Sequence, residues 1–246
     1  MSESEVYRKA PFNQPIIMEP MASGKLMAVF KDNPDLVIRK LTPKLGVFGL
    51  KDQKKEIKDV VGAWKNFGRF VKVPEFNTVL GEDDEGYAFY VVVDRVKEKN
   101  LEEMVLNPEE KPEFEAKLNG MFCSLIDYSE DISKNGGPYM WDQILKQYVY
   151  DSTRSNPSKE FYFVDLGRET YFYDPKDNGL KGNFFFYNTY LRLISIMMYG
   201  AEGRFPDVSI IKARSRFLDF LQGIKEPNPY SPAIESLKEK TLRKLE

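Results

Sequence analysis

The chain has 246 residues, which is enough for one large domain or two small lobes with a buried core. Its 36 basic and 38 acidic residues nearly balance, which argues against general nucleic-acid binding through a basic surface. The lack of histidine and the single cysteine exclude an intrachain disulfide, Cys- or His-based zinc sites and imidazole catalysis. Carboxylates, lysines, tyrosines or a bound cation must therefore carry any chemistry.

We expect neither a signal peptide nor a membrane-spanning helix from this sequence. The N-terminal stretch MSESEVYRKAPFNQP is polar and lacks the apolar core of a signal peptide. The longest apolar stretch, 184–199, is interrupted by Asn188, Thr189 and Arg192, whereas a membrane helix needs about 20 apolar residues. We therefore expect a soluble, cytoplasmic protein that does not bind a membrane.

Strand patterns dominate the chain up to residue 95. Residues 15–20 and 25–41 predict three strands, with Asp-Asn-Pro-Asp at 32–35 as the turn between the second and the third. A second hairpin is predicted over 77–96, with its turn between Gly81 and Gly86. Between these strands the spacing predicts an amphipathic helix, whose apolar face carries Ile57, Val60, Val61, Trp64 and Phe67.

Helical patterns dominate from residue 96 onward. The predicted elements are, in chain order, helices over 100–105 and 112–132, strands over 147–151 and 161–165, and helices over 184–200, 207–224 and 234–246. The fold class is therefore α+β, with a β-rich lobe over 1–95 and a mainly helical lobe with a small β-hairpin over 96–246.

This order of elements resembles the bilobal protein-kinase-like fold over residues 14–222. The shared order is three strands, a helix, two strands, a hinge and a helical lobe interrupted by a small hairpin. The resemblance implies a divergent enzyme that uses ATP and Mg²⁺ and transfers the γ-phosphate to a hydroxyl. The acceptor would be an unidentified protein or small molecule.

The resemblance assigns nucleotide contacts to the first three strands. The segment 21–30 stands where the family has its lid over the phosphates, and it has one glycine, Gly24, where the family has three. Gly24 and Lys25 would bind the nucleotide there. Lys40 on the third strand would hold the phosphates, and Arg39 is the alternative if the strand register differs by one residue.

Further contacts are implied in the rest of the β-rich lobe. Ile38, on the same strand face as Lys40, would cover the base, and Glu56 on the helix would hold Lys40. Asp94 and Val96 belong to the stretch where the last strand enters the hinge, and their backbone groups would meet the adenine.

The segment over 139–151 and the Asp-Leu-Gly tripeptide at 165–167 stand where the family has its catalytic loop and metal motif. Asp142 would orient the acceptor hydroxyl as a base, and Gln147, five residues later, would bind Mg²⁺ in place of the family's asparagine. Asp165 would bind the phosphates through Mg²⁺. Met140 and Trp141 replace the family's histidine and arginine.

These departures leave three hypotheses open. The first is a divergent kinase, favoured by the retained Lys40, Glu56, Asp142 and Asp165. The second is a pseudokinase that acts as a protein-interaction module, favoured by the single glycine of the lid, the glutamine at 147 and the missing His-Arg pair. The third is a non-catalytic α+β binding protein, because fold resemblance does not determine function.

Overall fold

The protein is an α+β structure with an antiparallel sheet and five α-helices in the described residues. The computed structural model describes residues 16–20, 26–30, 32–41, 50–83, 86–140, 143–151, 160–166, 170–174, 190–224 and 230–246. The α+β class expected from the sequence is therefore confirmed.

The main sheet has five strands, and every neighbouring pair is antiparallel. The strands are β1 (Ile16–Pro20), β2 (Leu26–Phe30), β3 (Asn33–Leu41), β4 (Phe76–Asp83) and β5 (Gly86–Asp94). They lie in the order β1-β2-β3-β5-β4, so β3 sits at the centre and β5 joins it to β4. The predicted strands and the two predicted hairpins are all present.

The central strand β3 buries side chains on both faces of the sheet. Ile38 and Leu41 are each 2% exposed and lie three positions apart along the strand. Ile38 packs in a cluster with Phe30, Ala88 and Tyr90. Because side chains alternate along a strand, Ile38 and Leu41 belong to opposite faces.

Helix α1 (Leu50–Phe67) follows β3 and matches the predicted amphipathic helix. Ile57, Val60, Trp64 and Phe67 on its predicted apolar face are all buried. Burial of such a stripe, rather than helix propensity alone, stabilises a helix of this composition.

Helix α2 (Lys111–Asn135) is the long helix predicted to begin near Pro112. Pro112 lies in its first turn, where a missing backbone N–H is tolerated. Gly136, with φ of 68°, ends the helix by donating its N–H to the carbonyl of Ile132.

The predicted short helix over 100–105 is wrong. Residues 101–103 form a turn instead, and the Asn100 side chain accepts the N–H groups of Glu102 and Glu103 at 2.9 and 3.2 Å. Asn100 also forms an isolated bridge with Val149. An asparagine side chain that competes for backbone amides favours such turns over helix.

Two small antiparallel strand pairs follow α2. The strands are β6 (Gly137–Met140), β7 (Tyr148–Asp151), β8 (Glu160–Phe163) and β9 (Thr170–Tyr173). The pair β7–β8 is the small hairpin that the sequence predicts. The pair β6–β9 was not predicted.

Three helices close the chain, namely α3 (Arg192–Arg204), α4 (Ile211–Gly223) and α5 (Ser231–Arg243). They correspond to the predicted helices, although residues 184–189 of the first lie outside the described part of the chain. Helix α4 begins later than predicted, at a point where Asn119 of α2 accepts the N–H of Ala213 and donates to the carbonyl of Ser209. Among the described helices, none is both long and apolar enough to cross a membrane.

The chain divides into two compact units. The first contains Met1–Gly62, Val73–Lys97 and Val164–Arg168, and the second contains Ala63–Lys72, Glu98–Phe163 and Glu169–Glu246. The division therefore passes through α1 and assigns the short segment with Asp165 to the unit that contains the five-stranded sheet.

Candidate functional site

The central contact of the candidate site joins Asp165 to Arg39. The Arg39 Nη1 donates a hydrogen bond to Asp165 Oδ1, which also makes the pair a salt bridge. The partners lie 126 residues apart in sequence and within the same compact unit. Their side chains are 50% and 32% exposed, so the pair is accessible to solvent and to ligands.

The strand register decides which basic residue of β3 can reach Asp165. Arg39 stands opposite Val91 of β5, whereas Ile38 and Lys40 stand opposite Val92 and Tyr90. Side chains alternate between faces along this regular pairing, so Arg39 projects from one face and Ile38 and Lys40 from the other. The geometry favours Arg39, the alternative that the sequence left open, as the cation beside Asp165.

Lys40 and Glu56 are both half-buried in the first unit. Glu56 lies one residue before the buried Ile57 on α1, and its Oε1 is shielded from solvent. The pairing of Glu56 with Lys40 stays a prediction.

At the end of β5, where Asp94 and Val96 were expected to meet a purine, the backbone N–H groups form hydrogen bonds with neighbouring segments of the chain. The Asp94 N–H donates to the carbonyl of Glu75 at 2.9 Å, and the Arg95 N–H donates to the carbonyl of Asp35 at 2.7 Å. Asp94 is exposed and Val96 is half-buried. A purine at this stretch would therefore meet Val96 or carbonyl oxygens rather than the N–H groups of residues 94 and 95.

Gln147 ends a 3₁₀ turn, Leu145–Gln147, that leads directly into β7. Its side chain is buried, and its Oε1 accepts the N–H of Ile144 at 2.9 Å. The oxygen predicted to bind Mg²⁺ therefore already accepts one hydrogen bond, although an amide oxygen has two lone pairs.

Gln143 and Tyr148 hold the segment that leads into β7, and the sequence analysis did not single them out. Gln143 is 1% exposed and accepts a hydrogen bond from the Tyr148 hydroxyl, which holds the two ends of the segment 143–148 together. The N–H of Met140, the last residue of β6, donates a hydrogen bond to the hydroxyl of Tyr128 on α2 at 3.0 Å. A glutamine directly after Asp142, followed by a tyrosine at the start of a strand, was the available signal.

Three predicted site residues, Gly24, Lys25 and Asp142, lie outside the described residues. Within the described part of the chain, no three cysteine, aspartate or glutamate side chains gather as a metal site. The described candidate site is thus the Arg39–Asp165 pair together with the flanking strand β3.

No protein-family model matches this chain, and no curated protein matches it at a significant level.

Proposed function

We propose that the protein is a divergent ATP-dependent phosphotransferase of the protein-kinase-like fold, which transfers the γ-phosphate to a hydroxyl of a protein or small molecule. The single observation that carries the proposal is the contact of Asp165 with Arg39. The resemblance implies a phosphate-binding cation on the third strand and a metal-binding aspartate at the end of the predicted strand over 161–165. The residues at these two places, Arg39 and Asp165, are in contact.

Arg39 suits the role that the sequence first gave to Lys40. An arginine keeps its charge at every accessible pH and offers a planar set of donors that matches phosphate oxygens. Its ion pair with Asp165 is half-exposed, and pairs of that kind are worth about 0–1 kcal/mol. Phosphate could therefore replace Asp165 at little energetic expense.

Asp165 fits a Mg²⁺ ion, which proteins commonly hold with one or two carboxylates together with substrate phosphates. Its carboxylate is partly exposed and already carries a cationic partner. When bound, the ion would neutralise charge on the phosphates during transfer. Gln147 stays a predicted second ligand, and Asp142 stays the predicted base for the acceptor hydroxyl.

A pseudokinase is the second candidate, and two observations favour it. The Gln147 oxygen accepts the Ile144 N–H, and the N–H groups of Asp94 and Arg95 are used within the sheet. Such a protein would keep nucleotide binding optional and use its surface to bind a partner.

The test is thermal melting with ATP, with and without Mg²⁺, followed by a γ-phosphate release and autophosphorylation assay. A ligand present at about 100 times its Kd stabilises the folded state by about 2.7 kcal/mol, which raises Tm measurably. Asp165→Asn should abolish the Mg²⁺ dependence of this rise. Asp142→Asn should retain the rise and lose phosphate transfer.

Glu160→Gln is the matched control for Asp165→Asn. Glu160 lies five residues earlier and pairs with Lys72 at a similar exposure, so its change should leave the ATP response intact. A rise in Tm without transfer by the wild type would support the pseudokinase. No rise with any nucleotide would overturn the proposed phosphotransferase and favour a non-catalytic role, either that of a pseudokinase without nucleotide or that of an α+β binding protein.

A further inference from the structure

We infer that a small cavity between α3, α4 and α5 binds a monatomic anion of the size of chloride. The residues concerned all belong to the second compact unit, and the inference does not depend on the proposed phosphotransferase activity. The cavity has a volume of about 10 Å³, which is room for about one water-sized particle. Its described lining residues are Ser195, Met198, Tyr199, Arg214, Phe217 and Thr241.

The polar part of the lining belongs to the interior of the unit. Each of the three helices contributes one polar side chain that is almost fully buried. These are Ser195, Arg214 and Thr241, which are 6%, 8% and 4% exposed. The rest of the lining consists of a thioether and two aromatic side chains. Because buried polar groups cost free energy unless they are hydrogen-bonded, three of them around one cavity indicate a polar occupant.

Arg214 determines which kind of occupant the cavity can hold. A guanidinium has five N–H donors, no acceptor and a permanent positive charge. Within the described part of the chain it has two partners, because its Nη1 donates to the carbonyl of Lys244 at 3.1 Å and its Nη2 pairs with Glu202 Oε1. The donors that remain require a ligand that accepts hydrogen bonds, so a metal cation does not fit.

The charge next to the cavity favours an anion over a water molecule. The Lys244 Nζ lies 3.2 Å from the same Glu202 Oε1 that pairs with Arg214, so two cations share one carboxylate. These three side chains carry one excess positive charge, which an anion beside Arg214 balances. Because the Lys244 side chain is 49% exposed, solvent screens part of this charge, and we expect millimolar rather than tight binding.

The two hydroxyl groups complete the coordination of the anion. Thr241 Oγ1 donates a hydrogen bond to the carbonyl of Leu237 at 2.7 Å. Since a hydroxyl hydrogen rotates to suit its partners, Thr241 and Ser195 can each turn a donor toward an anion. An anion held by these hydroxyls and by Arg214 connects all three helices, so its binding should stabilise the folded unit.

The experiment compares the thermal melting of the full chain in chloride and in gluconate at equal ionic strength, because gluconate is too large for the cavity. Chloride at ten times its Kd should raise Tm by about 3–5 °C. Broadening of the chlorine magnetic resonance signal by the protein, and its reversal by added bromide, measures the binding directly.

Three variants locate the anion in the cavity. Ser195→Ala and Thr241→Val each remove one hydroxyl with little change in volume, and each should weaken chloride binding about three- to tenfold. Arg214→Gln removes the charge and should abolish the response to chloride. If Arg214→Gln does not fold, the two hydroxyl variants still decide the test.

Ser215→Ala is the matched control for the two hydroxyl variants. Ser215 follows Arg214 on α4, is exposed, and donates to the carbonyl of Ile211 at 3.1 Å. It does not belong to the lining of the cavity, so Ser215→Ala should keep the full response to chloride.

Two results would overturn the inference. An equal Tm in chloride and gluconate, without broadening of the chlorine signal, would mean that the cavity takes a water molecule only. An equal response to chloride in Ser195→Ala, Thr241→Val and Ser215→Ala would mean that the anion binds elsewhere. Neither result concerns ATP binding, which the melting experiment with nucleotide tests separately.

Discussion

In the second compact unit, buried aromatic side chains hold the segment 143–148, which follows the predicted catalytic residue Asp142 in the sequence. In the first unit, the predicted ligand-binding groups are held by an ion pair that is half-exposed. Tyr148, one residue after Gln147, is fully buried and its ring lies 5.3 Å from that of Phe163. Arg39 and Asp165 are 50% and 32% exposed.

This difference follows from what each region has to do. Edge-to-face aromatic pairs contribute about 0.5–1.5 kcal/mol each beyond their burial, and no ligand has to displace them. An exposed ion pair contributes about 0–1 kcal/mol, so a ligand of the right charge can replace either partner. We therefore interpret the aromatic cluster as scaffold, whereas the Arg39–Asp165 pair has the exposure that the proposed ligand site requires.

Replacement of Phe114, a residue of the aromatic cluster, should have the largest effect on stability and therefore tests this comparison most strongly. Its ring is fully buried and lies 4.9 to 5.6 Å from the rings of Tyr150, Phe161 and Phe205. Phe114→Ala should lower the free energy of unfolding by about 3–5 kcal/mol, because it leaves a cavity among these rings. Denaturant unfolding measures the change.

Phe172 is the matched control for Phe114. It is 72% exposed on β9, in the same compact unit, so Phe172→Ala should change the free energy of unfolding by less than about 0.5 kcal/mol. Similar losses in the two variants would contradict the view that the aromatic cluster is the scaffold of this unit.

Alkaline pH provides the second effect. Burial raises the pKa of the hydroxyl groups of Tyr128, Tyr148 and Tyr190 above the ordinary value of about 10. A folded pKa that is raised gives stability that is complete below the unfolded pKa and is lost as the pH rises above it. Stability should therefore fall above about pH 10, by up to about 1.4 kcal/mol per pH unit for each tyrosine.

Tyr148→Phe tests the origin of this fall. At neutral pH the variant should have a free energy of unfolding lower by about 1 kcal/mol, because the hydrogen bond to Gln143 is lost. Above about pH 10 its free energy of unfolding should fall less steeply with pH than that of the wild type, because one buried tyrosine fewer can ionise. Ultraviolet spectroscopy of phenolate, with denaturant unfolding at each pH, measures both. A native protein in which all phenols ionise near pH 10 would show that these hydroxyls are not buried.

The helices were predictable from sequence because each carries a one-sided apolar pattern. Trp64 and Phe67 on α1, and Phe114 and Leu118 on α2, lie on such faces and are buried. The helix predicted over 100–105 lacked a comparable pattern, and the Asn100 side chain accepts two backbone amides there. Local competition of this kind outweighs a weak helical preference.

The pair β6–β9 was not predictable, for two physical reasons. Each strand has four residues, and β6 contains Gly137 and Pro138, which are unfavourable in strands. The partner of Gly137 is Tyr173, 36 residues away (173 minus 137), so no local turn indicates the pairing.

The candidate site was only partly predictable, and β3 explains the limit. The run Leu36, Val37, Ile38 followed by Leu41 places apolar side chains on both faces, so alternation does not tell which face Arg39 or Lys40 occupies. The contact with Asp165 depends on pairing with β5 and on a segment 126 residues away. The sequence therefore indicated Asp165 and strand β3, but it did not decide whether Arg39 or Lys40 is the basic residue next to Asp165.

A network of ion pairs between α2 and α4 contrasts with the Arg39–Asp165 pair of the candidate site. Glu130 accepts hydrogen bonds from Lys134, at 2.6 Å, and from Arg216, which also binds Asp127. Two donors on one carboxylate are a more stable arrangement than one exposed pair, because networks hold several charges in place.

The smallest of the predicted effects is the contribution of this network to stability at acid pH. The hydrogen bond from Lys134, followed by that from Arg216, lowers the pKa of the Glu130 carboxyl from its ordinary value. Because the folded pKa is the lower one, the stabilisation is complete above the unfolded pKa of about 4.3 and is lost as the pH falls through the folded value. Glu130→Gln should therefore flatten the fall of stability below about pH 5, in denaturant unfolding at a series of pH values. Lys134→Gln should flatten it less, since Arg216 remains, and parallel curves for Glu130→Gln and the wild type would contradict a stabilising network.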